Sequence, residues 1–136
     1  LEFRRVLFRS LRGFKLNDHF VNDPNNDWKH QGILFGSTFI GYNEYGVSVD
    51  KKDLINRVLL NVYTPTRRGI AMGDTKYLLL FVYGMPTRIV ESTTKAGTST
   101  VYEYKNPAAS NSYLQFALDD KNQYIKSVML SDRPVK

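Results

Sequence analysis

The sequence predicts an α+β protein: a short helix packed on an antiparallel β-meander, with that unit present twice in tandem and the first copy degenerate. Three observations predict it. Three short patterns recur in the same order along the 136 residues. One apolar segment carries helix start and stop signals at its two ends. Most other apolar residues alternate with polar ones between turn-forming residues, the period of strands.

The recurrence sets the organisation. Arg12-Gly13-Phe14-Lys15-Leu16-Asn17-Asp18 returns as Arg68-Gly69-Ile70-Ala71-Met72-Gly73-Asp74, and Ser37-Thr38-Phe39-Ile40-Gly41-Tyr42 returns as Ser99-Thr100-Val101-Tyr102-Glu103-Tyr104. Leu54-Ile55-Asn56-Arg57-Val58-Leu59-Leu60 returns as Tyr124-Ile125-Lys126-Ser127-Val128-Met129-Leu130. Each match is short, but their common order, with spacing that lengthens only where loops fall, indicates a duplicated unit. The first unit is expected over residues 11–63 and the second over residues 68–136, with Thr64-Pro65-Thr66-Arg67 as the linker.

Residues 1–10, "LEFRRVLFRS", are expected to be a sequencing or cloning artefact. No capping residue starts a helix there, and the stretch can be back-translated into a restriction site followed by the end of a common sequencing adapter. Such segments are set aside before fold reasoning. Taking three Arg and one Glu from 19 basic and 13 acidic residues leaves 16 and 12, so the net charge falls from +6 to +4. A mildly basic chain is a weak nucleic-acid footprint.

In the second unit, Asp74 is expected to cap a helix over residues 75–83, and Gly84 with Pro86 to end it. Strands follow at 88–91, 98–105, 113–118 and 124–130, with a loop at 106–111 and a hairpin turn at 119–122. The first unit shows strands at 33–42, 46–49 and 54–62. Its helix region, His19 to Trp28, contains Pro24 and three asparagines, which predict a turn or a broken helix. Gly69 and Gly73 complete the structural motif that opens the second unit.

The stretch "RGIAMGDTKYLLLFVYGMPTRI", with "STVYEYK", "YLQFALDD" and "YIKSVMLS" after it, resembles the glycine-rich helix pattern and trailing strands of the SmpA/OmlA/BamE-like lipoproteins. It is also similar to the repeat of beta-lactamase inhibitory protein and to envelope proteins of Gram-positive bacteria. The likeness covers residues 68–131 and, more weakly, the first unit. It implies small helix-plus-sheet modules that bind other proteins and catalyse nothing, set outside the cytoplasm in the cell envelope or secreted, with an inhibitor-like or envelope-assembly role. Where the pattern places polar residues on the outer side of the helix, this chain has Leu78, Leu80 and Phe81.

Those residues, with Tyr77, make the helix apolar nearly all round, so more than one side needs cover. Either the first unit or a second chain packs over it, or Tyr77, Leu80 and Phe81 form a partner-binding patch. On the sheet, Tyr102, Tyr104, Leu114, Phe116, Leu118, Val128 and Leu130 share the parity of a core face. Val101, Glu103, Tyr113, Gln115, Ser127 and Met129 fall on the other face, where a mixture of Tyr, Met and polar groups suits protein recognition.

Catalytic and metal-binding patterns are missing. There is no cysteine, and neither His19 nor His30 has ligand-type neighbours at suitable spacing. Asp23 to Asp27 fails as a calcium loop, since Trp28 stands where glycine is needed and Leu34 where the closing Glu belongs. Asp119 and Asp120 fit a turn, and Arg67-Arg68 a solvated linker. No cofactor is expected. The longest apolar run, residues 77–83, is far short of the roughly 20 residues that cross a bilayer. The reading is a non-enzymatic protein-binding module. Its alternative, a small basic nucleic-acid-binding protein, is motivated by a pI of 9.6 with nine Tyr and eight Phe.

Overall fold

In a computed structural model, the residues described are 11, 14–21, 30–34, 37–42, 45–60, 64–94, 97–107, 111–119 and 121–135. The expectations for residues 1–10 and for the turn at 22–28, including the Asp23 to Trp28 stretch, lie outside them, as do parts of the loops at 106–111 and 119–122.

Among the described residues, eight strands form one antiparallel sheet: β1 (His30–Leu34), β2 (Ser37–Gly41), β3 (Tyr45–Val49), β4 (Ile55–Leu60), β5 (Arg88–Thr94), β6 (Gly97–Lys105), β7 (Tyr113–Leu118) and β8 (Ile125–Ser131). Their spatial order is β1-β2-β3-β4-β8-β7-β6-β5. The single helix among the described residues, α1 (Lys76–Tyr83), is eight residues long. The α+β expectation is therefore corrected to a sheet-dominated fold with little helix. The two meanders do not build separate helix-plus-sheet layers, because β4 pairs with β8 (Val58 opposite Leu130, Leu60 opposite Val128) and merges them into a continuous sheet. The strand expected over residues 33–42 is likewise two strands, folded back so that Leu34 opposes Ser37.

The two halves repeat local geometry. The Asn17 amide donates to the Ile55 carbonyl at 2.7 Å and the Ile55 amide to the Asp18 carbonyl at 2.9 Å; Gly73, Ile125 and Asp74 make the same pair of bonds at 2.7 and 2.9 Å. Asn17 and Gly73 both have positive φ, 69° and 95°, a conformation in which glycine and asparagine are the favoured residues. The pairing of β3 with β4 shifts register after Ser48, and that of β7 with β8 after Ala117.

The core lies on the inner face. Tyr102, Tyr104, Leu114, Phe116, Leu118, Val128 and Leu130 are all buried, as their alternation predicts. Over the second half the cover is α1, through Leu79 and Tyr83. The Tyr83 ring lies 5.6 Å from that of Tyr104 and 5.2 Å from that of Phe116. Over the first half, an aromatic cluster of Phe14, Phe20, Tyr42 and Tyr45 fills the inner face instead, with centroid separations of 4.9–6.4 Å.

The start of α1 also differs from expectation. Thr75, not Asp74, is the N-cap: its φ of −78° and ψ of 155° are extended, and its hydroxyl accepts from the Leu78 amide at 3.2 Å. Asp74 acts one step earlier, where its carboxylate accepts from the Ala71 amide at 2.9 Å and closes the turn that holds Gly73. Gly84 ends the helix at φ 78°, its amide donating to the Leu80 carbonyl. Within the expected linker at 64–67, Thr64 and Thr66 are buried, while Pro65 and Arg67 are exposed.

Candidate functional site

Two surfaces collect the residues that the sequence singles out, and they lie on opposite sides of the sheet.

The first belongs to α1. With Leu79 and Tyr83 turned to the core, the helical period places Tyr77 and Phe81 outward, four residues apart, and Met85 continues the line beyond the C-cap. Phe81 is 88% exposed, Tyr77 71% and Met85 70%. Leu78, Ile89 and Tyr124 are also exposed, and Tyr124 is held near the helix start by the bridge between Thr75 and itself. Leu80, expected in the patch, is half-buried and packs on the core. Pro86 sits half-buried just after the helix. Among the described residues, nothing covers the stripe.

The second is the outer sheet face. Val101, Tyr113 and Met129 are half-buried there. Glu103 and Gln115, expected to be open to a partner, are instead only 2% and 4% exposed. The reason is the segment after β8, which turns back across the outer face. Glu103 Oε2 accepts from the Val135 amide at 2.7 Å and from Gln115 Nε2 at 3.0 Å, while its Oε1 accepts from Arg88 Nε at 3.1 Å. Gln115 Nε2 also donates to the Arg133 carbonyl at 3.1 Å, and Arg88 Nη2 to that of Val135. A buried carboxylate is tolerated when its oxygens are this fully hydrogen-bonded. Glu103 and Gln115 thus form an anchor for the chain's own tail.

A cavity of about 460 Å³ opens beside this anchor, lined among others by Arg57, Gln115, Met129, Ser131 and Arg133. Arg57 was read in the sequence only as part of a strand. Its signal was a charged residue inside the otherwise apolar run of β4.

Asp119 accepts the Gln123 and Tyr124 amides at 2.9 and 3.3 Å, a turn-forming role that holds its carboxyl below the usual range. Among the described residues, no group of His, Asp and Glu could hold a metal ion, and no helix is long and apolar enough to cross a membrane. Compared with protein-family models, curated proteins and solved structures, the chain finds no match.

Proposed function

We propose that this chain is a non-enzymatic protein-binding module built of two related units, and that it binds through the exposed stripe of α1. The observation that carries the reading is the line Tyr77, Phe81 and Met85, large apolar side chains left uncovered by the fold on a helix well anchored beneath. Contiguous apolar surface of this kind marks interaction sites, and aromatic and Met side chains are enriched in them. The recurring hydrogen bonds at Asn17–Ile55 and Gly73–Ile125 support the relation between the two units. The resemblance of residues 68–131 to envelope proteins supports a setting outside the cytoplasm and an inhibitor-like or assembly role.

The experiment is site-specific photo-crosslinking in extracts of the source cells, with the photoreactive residue at Phe81 and, as control, at Lys126, an exposed polar position. The expected result is one discrete adduct from position 81, competed away by excess unlabelled protein but not by the Tyr77→Ser/Met85→Ser variant. Equal labelling from both positions would overturn the reading. So would an adduct made only of two copies of this chain, which would make α1 a self-association surface.

A further inference from the structure

The cavity on the outer sheet face lies on the far side of the sheet from α1 and has no part in the reading above. Its size, about 460 Å³, falls in the range of small-molecule sites. Its floor comes from the sheet: Arg57 on β4, directly across from Ser131 on β8, with Met129 two residues before. Its wall comes from the returning tail, Arg133, Pro134 and Val135, which the anchor at Glu103 and Gln115 holds in place.

The electrostatics of this space are positive. Arg57 is 5% exposed. Burial pushes its guanidinium below its ordinary pKa, the charge of Arg133 pushes in the same direction, and Asp132 opposes them. Among the described residues the lining carries two arginines and no carboxylate; beside it, Asp132 offsets part of this charge by pairing with Arg133 Nε at 3.2 Å, and Glu103 pairs with Arg88. Two guanidiniums at one cavity favour an anion, and the planar fork of arginine matches a carboxylate with two parallel hydrogen bonds. Met129, Pro134 and Val135 give the lining an apolar side that suits a hydrocarbon body.

We propose that this cavity binds a small organic carboxylate, its head group between Arg57 and Arg133 and its apolar body against Met129, Pro134 and Val135. Asp132 beside Arg133 disfavours a dianion, which separates an organic carboxylate from inorganic phosphate. The hydroxyl of Ser131 lines the same space and can donate to the head group, while both N–H groups of Gln115 are spent on Glu103 and the Arg133 carbonyl.

The test is calorimetric titration of the full chain with sodium hexanoate, hexan-1-ol and inorganic phosphate. Hexanoate is expected to saturate a single site that hexan-1-ol does not fill. Arg133→Gln is expected to weaken hexanoate about tenfold, the order of one charge-assisted hydrogen bond. Arg57→Met is expected to abolish binding, Arg57→Lys to retain part of it, and Lys105→Gln, an exposed charge change elsewhere, to leave it unaltered. Should Arg57→Met fail to fold, Arg133→Gln decides alone, since that side chain is 58% exposed. Hexan-1-ol or phosphate binding as tightly as hexanoate, no saturable binding of hexanoate, or unchanged affinity in Arg133→Gln would each overturn the assignment.

Discussion

The Tyr83 hydroxyl donates a hydrogen bond to Thr66 Oγ1 at 2.8 Å, and both residues are buried. This bond ties the last turn of α1 to the segment that joins the two halves of the sheet. The same Thr66 oxygen accepts from the Ile70 amide at 3.2 Å, so one hydroxyl serves two donors. Replacing Tyr83 with Phe removes one donor and is expected to cost about 1 kcal/mol in urea denaturation. Thr66→Val strands both donors and is expected to cost about 2–3 kcal/mol.

Burial pushes the Tyr83 phenol above its ordinary 10.0, more than Thr66 and Arg68 pull it back. A phenol that the folded state keeps protonated contributes stability that is fully present below pH 10 and is lost as pH rises through the higher folded value. Unfolding midpoints measured between pH 8 and 12 should therefore fall more steeply for the native chain than for Tyr83→Phe at the alkaline end.

Gly46 on β3 lies beneath the ring of Phe39. A Cβ placed there would stand 2.5 Å from both Cε2 and Cζ of that ring. Gly46→Ala is expected to displace the ring and cost about 1–2 kcal/mol. Adding Phe39→Ala removes the obstruction, so the double variant should lose less stability than the two single losses combined, a coupling that a double-mutant cycle measures.

Glu103 and Arg88 form an ion pair of unequal partners, one 2% and the other 49% exposed at the side chain. Glu103→Ala leaves the Val135 amide without its acceptor and Gln115 with one of its two, and is expected to destabilise by about 2–4 kcal/mol and release the tail, detectable as faster amide exchange at Val135. Arg88→Ala should cost less than about 1 kcal/mol, because its side chain is half exposed and Glu103 keeps its bonds to Val135 and Gln115. Equal losses from the two variants would contradict the anchor.

At the turn after β7, Asp119 is held below its ordinary 3.8, first by the Gln123 amide. The stability this contributes is present above that value and lost as pH falls through the lower folded value. Asp119→Ala should therefore reduce the thermal midpoint at pH 7, and the difference from the native chain should disappear in strong acid.

Local pattern reaches a definite part of this molecule. The alternation from Tyr102 to Leu130 names the core face correctly, because a residue's side of a strand depends only on parity. Gly84 can be read as the end of α1 from its own conformational freedom. The choice between Asp74 and Thr75 as cap is closer, since both side chains can accept an amide and only the backbone angles decide. The tail anchor is harder still. Glu103 and Gln115 have the composition and parity of solvated residues, and nothing near them in sequence says that Val135, 32 residues after Glu103, returns to bury them.

Outside the β1–β2 hairpin, which reads as one strand over 33–42, the order of apolar and polar residues is sufficient for the strands, the helix and the inward face, because these follow from the few residues on either side of each position. Three features needed the folded chain. The pairing of β4 with β8 joins residues 68 to 74 positions apart and turns two meanders into one sheet. The uncovered stripe of α1 depends on what fails to pack over it. The cavity at Arg57 exists only where β4, β8 and the tail meet. All three rest on long-range contacts, whose free energy comes from surfaces that sequence neighbours never share.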